Sequence, residues 1–223
     1  MDCKYCTRKC RRSGRQNNGT QRYYCMVCKK YQQKEYIYQA CRGTANATIT
    51  SLVRESVGIR GIARVLRIAT NTVLKRIKTI AAGISRPPID QEQLTFEVDE
   101  LWTYIGRKDN EYWLAYALNK STREVADFVI GKRTKGTLKI LIDRLLVSAP
   151  NRIRTDKLTI YQRLIPRVLH HFGAYCINHI ERKNLSIRTH IKRLSRRTIC
   201  FSRSLVLLES CMKIYFWGNI FAK

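Results

Sequence analysis

The chain has 223 residues, 44% of them hydrophobic, and its 43 Lys and Arg against 16 Asp and Glu give a formal net charge of +27. Such a charge would destabilise a compact monomer unless a polyanion neutralises it, which favours nucleic acid as the partner. An anionic membrane surface is the competing partner, but no apolar run approaches the ~18–20 residues of a spanning helix and no apolar signal-peptide region begins the sequence. We therefore expect a soluble intracellular protein.

A cysteine-rich segment opens the chain. Five of the nine cysteines fall in the first 28 residues, and two CxxC pairs there are separated by 18 residues. A two-residue gap lets one tight turn present two thiolates to one ion, and paired CxxC motifs at this separation are a strong zinc signal. We therefore predict a structural Zn²⁺ bound by Cys3, Cys6, Cys25 and Cys28, with Cys10 as an alternative to Cys6.

The rest of residues 1–44 fits a zinc ribbon. Gly14 and Gly19 supply turns before a short strand-like piece, and large apolar residues are few, so the metal would supply much of the folding free energy. Residues 1–34 also contain ten Lys or Arg and one acid, Asp2. This charge favours contact with DNA, and a merely solvated basic face is the alternative.

Residues 45–86 have helical periodicity. Apolar residues recur at three- and four-residue intervals, Gly58 separates the first two helical segments, and the short sequence RIA at 67–69 separates the last two. Two helices joined by so short a turn predict a helix-turn-helix, with Thr70 as the N-cap of the second, recognition helix. The predicted DNA-contacting residues are Asn71, Thr72, Lys75 and Arg76. A small three-helix bundle with no role in DNA binding is the alternative.

Residues 87–223 begin at a proline pair, Pro87 and Pro88, which cannot continue a helix. After it the hydrophobic period changes from 3.6 to two. Three strand-like segments joined by short turns predict an antiparallel meander, followed by a helix over residues 134–149 and a fourth strand that ends at Asp156. This is the element order of an RNase H-like α/β domain, so we predict a mixed-sheet catalytic core of that class.

Acidic residues are scarce in this core, and their positions are informative. In an RNase H-like layout the first strand is central and the fourth lies beside it, which would bring Asp99 and Asp156 together. After residue 143 only three acids remain, and one of them, Glu181, begins a helix with a strongly basic sequence. A carboxylate in that position could face a metal while the helix lies along DNA phosphates.

Two further acids lie on the first strand. Alternation puts Glu97 on the same face as Asp99 and Glu100 on the opposite face, so Asp99 and Glu100 should not share ions unless the strand bulges. Glu97 and Glu100 are then helpers or bystanders, although Glu100 becomes the first ligand if the register slips by one residue. Attack on a DNA phosphodiester needs charge neutralised on both the attacking and the leaving oxygen, which two divalent ions bound by carboxylates achieve.

The sequences VDELW, TDK and HIERKNLSIRTHIKRL, behind the cysteine pairs and the helix-turn-helix, resemble transposases of the insertion-sequence-one family from about residue 3 to about residue 215. The resemblance implies a DDE transposase that binds Mg²⁺ or Mn²⁺ through Asp99, Asp156 and Glu181. It also implies that Arg188 lies near substrate DNA. The chain departs from the family at Lys157, where Gly is usual. Further basic residues predicted to contact phosphate are Lys192, Arg193, Arg196 and Arg197.

Together these features predict a DNA transposase that binds the ends of an insertion sequence, cleaves a strand and transfers the freed 3′-hydroxyl to target DNA. We expect a homo-oligomer on double-stranded DNA, a cytoplasmic, nucleoid-associated location in a prokaryote, and no membrane partner. A non-catalytic DNA-binding repressor would need only the front half and would leave residues 91–223 unexplained. An RNase H-like nuclease without strand transfer is the other alternative, whereas a serine recombinase lacks a serine beside an activating cluster.

Overall fold

The computed structural model describes residues 1–41, 43–89, 93–173 and 175–218. These residues form a small three-stranded sheet, a group of three helices, and a five-stranded mixed sheet with helices on both faces. None of the helices in these ranges is long and apolar enough to cross a membrane.

The N-terminal sheet is antiparallel, in the order β1–β2–β3. Its first hairpin turns at Gly19, whose φ of +79° favours glycine and whose N–H donates to the Gln16 carbonyl. Gly14 lies instead inside β1, where the pairing with β2 shifts between Arg12 and Arg15, so it serves a bulge rather than the predicted turn. The strands are β1 (Arg11–Arg15), β2 (Gln21–Tyr24) and β3 (Tyr31–Gln32).

Three helices follow, close to where the hydrophobic period predicts them: α1 (Ala45–Arg54), α2 (Ile59–Leu66) and α3 (Thr70–Ala82). The chain reverses after α2 through Arg67, which has a left-handed φ of 52°. The prediction that Thr70 caps α3 is wrong, because Thr70 is already the first helical residue and Ala69 precedes it in an extended conformation. The backbone N–H of Ala69 donates to the hydroxyl of Tyr38 instead.

The large sheet has the order β6–β5–β4–β7–β8, with β4 at its centre. β4, β5 and β6 are antiparallel, whereas β7 runs parallel to both β4 and β8. The predicted meander, and the fourth strand beside the first, are therefore confirmed. The strands are β4 (Thr95–Tyr104), β5 (Glu111–Asn119), β6 (Val125–Gly131), β7 (Arg152–Thr155) and β8 (His170–Phe172). The helices are α4 (Lys135–Leu146), α5 (Thr159–Leu164), α6 (Asn178–His190) and α7 (Leu205–Trp217).

The two faces of this sheet bury different cores. Phe96 and Val98 of β4 join a buried cluster with α4 and α5. Leu101 of the same strand joins a second cluster with α6 and α7. The alternation predicted along residues 94–104 therefore holds, and it decides which helices each acid of β4 can meet.

Helices α1 to α3 share the second core. Both α1 and α3 pack against α7, and Ile49 of α1 lies in one buried cluster with Leu208 of α7. In the segment after α3, Arg86 pairs with the buried carboxylate of Asp127 on β6 at 2.9 Å. The predicted boundary between residues 86 and 87 remains a prediction, and Asp90 beside it lies outside the described residues.

Candidate metal centres and nucleic-acid interface

An acid cluster lies where β7 ends beside β4. The parallel pairing aligns Glu97 with Arg154, and two residues further along each strand are Asp99 and Asp156. One carboxylate oxygen from each of Asp99, Glu100 and Asp156 lies within 4.8 Å of the others. The strand pairing thus brings Asp99 and Asp156 together, as the element order predicts.

Asp99 is half-buried at the centre of this cluster. Its Oδ1 accepts the backbone N–H of Glu100 at 2.7 Å, and its Oδ2 accepts the amide Nδ2–H of Asn184 at 2.6 Å. Burial raises the pKa of Asp99 to about 6, and the charges of Glu100 and Asp156 act in the same direction. A divalent cation would offset this cost of gathering buried carboxylates, and their hard oxygen donors suit Mg²⁺ or Mn²⁺.

Glu100 is the most enclosed acid of the cluster. Its Oε1 accepts the hydroxyl of Tyr161 at 2.8 Å, and its Oε2 accepts a guanidinium N–H of Arg133 at 3.2 Å. Burial raises the pKa of Glu100, while these two partners oppose the rise. The Arg133 guanidinium in turn lies over the ring of Trp113 at 4.4 Å. Both oxygens of Glu100 are therefore already bonded within the protein.

The closeness of Asp99 and Glu100 contradicts the expectation that alternation would separate them. β4 pairs with β5 without a bulge through both residues, so their Cβ atoms point to opposite faces. The Asp99 carboxylate nevertheless lies against its own strand, where its Oδ1 accepts the N–H of Glu100. Alternation fixes the direction of the Cα–Cβ bond and leaves the carboxylate free to reach the strand edge.

The predicted third acid, Glu181, lies outside the group formed by the other acids. It is exposed in the first turn of α6, which packs on β4. Asn184 and Arg188, three and seven residues later, share its side of the helix. Asn184 donates a hydrogen bond to Asp99. Burial and the charge of Arg196 lower the pKa of Arg188, and the nearby Asp99 charge partly opposes this. Helix α6 therefore contacts the acid cluster through Asn184, although the carboxylate of Glu181 does not belong to the cluster.

Glu97 fixes the start of α6. Its carboxylate is 1% exposed, and its Oε2 accepts the backbone N–H groups of His179 and Ile180 at 3.1 and 2.9 Å. Its Oε1 lies 2.7 Å from Nδ1 of His179. These N–H groups are the ones a helix N-cap usually satisfies, and Ile177 at the cap position has no polar side chain for that role. Glu97 therefore holds the first turn of α6 in place. Strand alternation predicted the face on which Glu97 lies, but not this contact.

Asn184 and Tyr116 are site residues that the sequence analysis missed. The Tyr116 hydroxyl lies 2.6 Å from Oδ1 of Asn184, and Tyr116 pairs directly with Asp99 across β4 and β5. The register of the predicted meander could have identified Tyr116 as a neighbour of Asp99. No comparable signal marked Asn184, because its contact depends on how α6 packs.

The N-terminal sulfur cluster contains the four predicted ligands. The Sγ atoms of Cys3, Cys6, Cys25 and Cys28 all lie within 4.8 Å of one another. Two of the separations are 3.9 Å, between Cys3 and Cys28, and 3.6 Å, between Cys6 and Cys25. A tetrahedral ion with Zn–S bonds of ~2.3 Å places its sulfurs ~3.8 Å apart, so the arrangement fits zinc. Cys10 does not belong to this group in the described chain.

Hydrogen bonds already favour a thiolate in this cluster. Burial opposes ionisation of Cys3, but the N–H of Tyr5 and the amide of Gln32, at 2.9 Å from Sγ, outweigh it and lower the pKa of Cys3 to about 6. Bonding to Cys6 and burial raise the pKa of Cys28 to about 12. Sulfurs this close cannot all ionise without a cation, which is the condition a bound metal would relieve.

The predicted recognition helix exposes only part of its predicted contact set. Asn71 and Lys75 are exposed, whereas Thr72 is half-buried with its hydroxyl 3.2 Å from that of Tyr38. Two of the four side chains are thus freely presented to solvent.

Arg76 is used inside the protein. Its Nη1 donates to the side chain of Asn46 at 3.1 Å and its Nη2 donates to the carbonyl of Ala40 at 2.7 Å. These bonds tie α3 to α1 and to the segment that leaves the N-terminal sheet. A guanidinium held in this way is poorly placed to read base edges, so the predicted role of Arg76 in sequence recognition is not favoured.

The basic stretch after Glu181 is not one continuous helix. α6 ends at His190 because Ile191 adopts an extended conformation, and a short 3₁₀ turn covers Lys192–Leu194. Arg193 donates to the hydroxyl of Ser202 at 3.1 Å. The exposed members of the predicted phosphate-contacting set are Lys192, Arg196 and Arg197.

Comparison with known proteins gives consistent matches for the second half of the chain. The family model described as IS1 transposase matches residues 93–221. The insertion element iso-IS1n protein InsB of Shigella dysenteriae is 37% identical over 128 residues, which is 57% of this chain and 98% of that protein. The insertion element IS1 protein InsB of Shigella flexneri is 34% identical over 119 residues, 53% of this chain and 91% of that protein.

A structural neighbour is more distant. It is a chain of the simian T-cell lymphotropic virus intasome in complex with the PP2A regulatory subunit B56 gamma, with a TM-score of 0.36 and 15% identity over 64% of this chain and 59% of that chain. A likeness this weak identifies no function. The family match, by contrast, covers more than half of the sequence, and the protein belongs to the IS1 transposase family.

Proposed function

We propose that this protein is a DNA transposase that binds the ends of an insertion sequence, cleaves a strand there and transfers the freed 3′-hydroxyl to target DNA. The observation that carries the proposal is the convergence of Asp99 and Asp156 on neighbouring parallel strands in a chain of the IS1 transposase family. Carboxylates gathered in this way are the ligands that metal-dependent phosphodiester chemistry requires. The strand order supports an RNase H-like catalytic core around them.

The proposed ligands of the catalytic Mg²⁺ or Mn²⁺ are Asp99, Asp156 and Glu181. Divalent ions bound there would activate the attacking water or hydroxyl and stabilise the charge on the leaving oxygen. Asp99 and Asp156 form the fixed part of the set, because Asp99 lies on the central strand β4 and Asp156 directly follows the neighbouring strand β7. Glu181 is exposed on α6, the helix whose Asn184 contacts Asp99, so its side chain is free to turn toward the other two.

Glu100 has a supporting role in this proposal. Its two oxygens accept hydrogen bonds from Tyr161 and Arg133, and its side chain is 1% exposed. Binding a cation directly would weaken both bonds. We therefore assign Glu100 to holding α5 and Arg133 against the strand that carries Asp99.

The proposed DNA path follows the basic surface beside the acids. Arg188, close to Asp99, would hold the phosphate next to the scissile one, and exposed Arg196 and Arg197 would extend the contact along the backbone. The zinc-bound ribbon and the exposed part of α3, at Asn71 and Lys75, would bind the element ends. Because two ends must be cut and joined together, we propose a homo-oligomer on double-stranded DNA.

The test is a strand-transfer assay with the full-length, zinc-loaded protein. Linear DNA carrying the element ends is incubated with a supercoiled target plasmid and Mg²⁺, and products nicked at the ends and products joined to the target are separated. We expect both, and neither from Asp99→Asn. End binding without cleavage would support a repressor, and cleavage without joined products would support a nuclease; either result would overturn the proposal.

A further inference from the structure

The contacts between α6 and the two central strands form a connected network around Asp99. Glu97 anchors the helix at its first turn, through the N–H groups of His179 and Ile180. One turn later, Asn184 reaches the Asp99 carboxylate. Two contacts on one side of a helix fix both its position and its rotation, so the side chain of Asn184 has little freedom relative to β4.

Asn184 is also fixed at its other end. Its Oδ1 accepts the Tyr116 hydroxyl at 2.6 Å, the shorter of two contacts of that hydroxyl, the other being 3.3 Å from the Ile180 carbonyl. With Oδ1 bonded in this way, Nδ2 is the group that faces Asp99. Tyr116 is fully buried, and its ring stacks with Phe216 of α7 at 5.9 Å between centroids. The hydroxyl is therefore held by packing, and a flipped Asn184 amide would face Asp99 with its oxygen.

We propose that Asn184, oriented by Tyr116, is a positioning residue that sets the orientation of the Asp99 carboxylate for metal binding, an inference that rests on the proposed function. The Asn184 amide donates a hydrogen bond to Oδ2 of Asp99 from the α6 side, while the Glu100 N–H donates to Oδ1 from the strand side. The carboxylate plane is thereby fixed, with an Asp99 oxygen within 4.8 Å of an oxygen of Asp156. Hydrogen bonds to a ligating carboxylate tune its affinity for a metal, and their loss typically costs ~10–100-fold.

This arrangement also gives α6 a direct link to the metal site. The same helix carries Glu181 and Arg188, the proposed third ligand and a proposed DNA contact. A fixed Asn184 therefore keeps both of them in register with Asp99. Neither Asn184 nor Tyr116 is assigned to touch DNA or the reacting atoms.

The test measures Mn²⁺ affinity of the full-length, zinc-loaded protein by electron paramagnetic resonance, together with the melting temperature without Mn²⁺. Asn184→Leu keeps the approximate volume and removes both hydrogen bonds, and we expect its Mn²⁺ affinity to fall ~10–100-fold. Tyr116→Phe keeps the ring and should cause a smaller loss. Because Tyr116 acts only through Asn184, the double variant should bind Mn²⁺ as weakly as Asn184→Leu alone.

The control is Leu185→Ala, at the next helix position, where the side chain is 68% exposed. It should bind Mn²⁺ like the wild type. Asn184→Ala serves as a second variant should the leucine disturb packing. Wild-type affinity in a folded Asn184→Leu or Asn184→Ala variant, or additive losses in the double variant, would overturn this inference alone. Absence of Mn²⁺ binding by the wild type would overturn the proposed catalytic site as well.

Discussion

The two candidate metal sites are assembled in opposite ways. The cysteine cluster draws its ligands from two short turns in the first 28 residues, around a small sheet with few large buried side chains. The acid cluster draws Asp99 and Asp156 from strands 57 residues apart in sequence, and both strands lie in a sheet with a core on each face. We propose that an ion at the first site supplies much of its folding free energy, whereas at the second site the fold itself brings Asp99 and Asp156 together.

This difference determines what the removal of a ligand should do. In the cysteine cluster, we propose that metal binding and folding are coupled, because the first 34 residues bury few large side chains. In the acid cluster, the sheet persists and the carboxylates repel each other, so the loss of one charge should spare the fold and remove activity. Ligand substitutions at the two sites should therefore separate structure from catalysis.

The largest effect is expected from Cys25→Ser. The substitution should remove bound zinc, disorder residues 1–34 and abolish binding to element ends, because one of four sulfur ligands is lost. Elemental analysis should fall from about one zinc per chain to near zero. Cys10→Ser is the matched control and should keep its zinc. Full zinc content and an ordered N-terminus in Cys25→Ser would contradict the ligand assignment.

Next in size is Asp99→Asn. A metal at this site supplies several kcal/mol of transition-state stabilisation, so end cleavage should fall by roughly 1,000-fold or more. DNA binding should be unchanged or tighter, because a negative charge is removed beside the proposed DNA path. The exposed acid Asp143 provides the control substitution Asp143→Asn. Retained cleavage by Asp99→Asn would rule out the cluster as the catalytic site.

End cleavage and melting temperature also distinguish the two candidates for the third carboxylate ligand, Glu181 and Glu100. Glu181→Gln should abolish cleavage without lowering the melting temperature, since the side chain is exposed. Glu100→Gln should lower the melting temperature, because the group accepts hydrogen bonds from Tyr161 and Arg133 in a buried site. If Glu181→Gln cleaved normally and Glu100→Gln did not, the ligand set would be Asp99, Glu100 and Asp156.

A smaller effect is expected on α3. Arg76→Ala should destabilise the protein by about 1–3 kcal/mol, because it leaves the Ala40 carbonyl and Asn46 without their charged donor. Lys75→Ala, its exposed neighbour, should leave stability unchanged and weaken end binding. Chemical denaturation and a titration of end-containing DNA distinguish the two. Unchanged stability in Arg76→Ala would return that residue to the set of DNA contacts.

The smallest effect concerns pH. Burial raises the pKa of Asp99 from 3.8 to about 6 in the metal-free folded state. Between these two pH values the folded state keeps a proton that the unfolded state has released, so the stability of the folded state falls as the pH rises from 3.8 to 6. Glu100, Asp156 and Arg188 are the charged groups around it. Mg²⁺ needs the deprotonated form, so the same Mg²⁺ concentration should stabilise the protein more at pH 7.5 than at pH 5. Equal Mg²⁺-induced shifts in melting temperature at both values would contradict this.

Much of the fold could be predicted from the sequence because its signals are local. The cysteine spacing identified all four members of the sulfur cluster, and the change from period 3.6 to period two located the sheet. The antiparallel meander followed by a helix placed β7 beside β4, which brought Asp99 to Asp156. Each of these depends only on backbone geometry and the direction of the Cα–Cβ bond.

The remaining features depend on side-chain reach and on packing between distant elements. The alternation argument separated Asp99 from Glu100, yet a short rotation of the Asp99 side chain brings the carboxylates together. The sequence predicts Arg76 as a DNA contact, but in the structure its guanidinium donates to the carbonyl of Ala40, a contact that sequence periodicity does not reveal. The role of Asn184 required the position of α6 on the sheet, which no periodicity in the sequence reveals.

The most direct test of the central claim is the location of a bound ion. Crystals of the full-length protein soaked in Mn²⁺ should show an anomalous scattering peak bound by carboxylate oxygens of Asp99, Asp156 and Glu181, at about 2.0–2.2 Å for ions of this kind. The amide of Asn184 should still contact Asp99. A peak elsewhere, with the Asp99 and Asp156 carboxylates free of metal at saturating Mn²⁺, would contradict the assignment of this cluster as the catalytic centre.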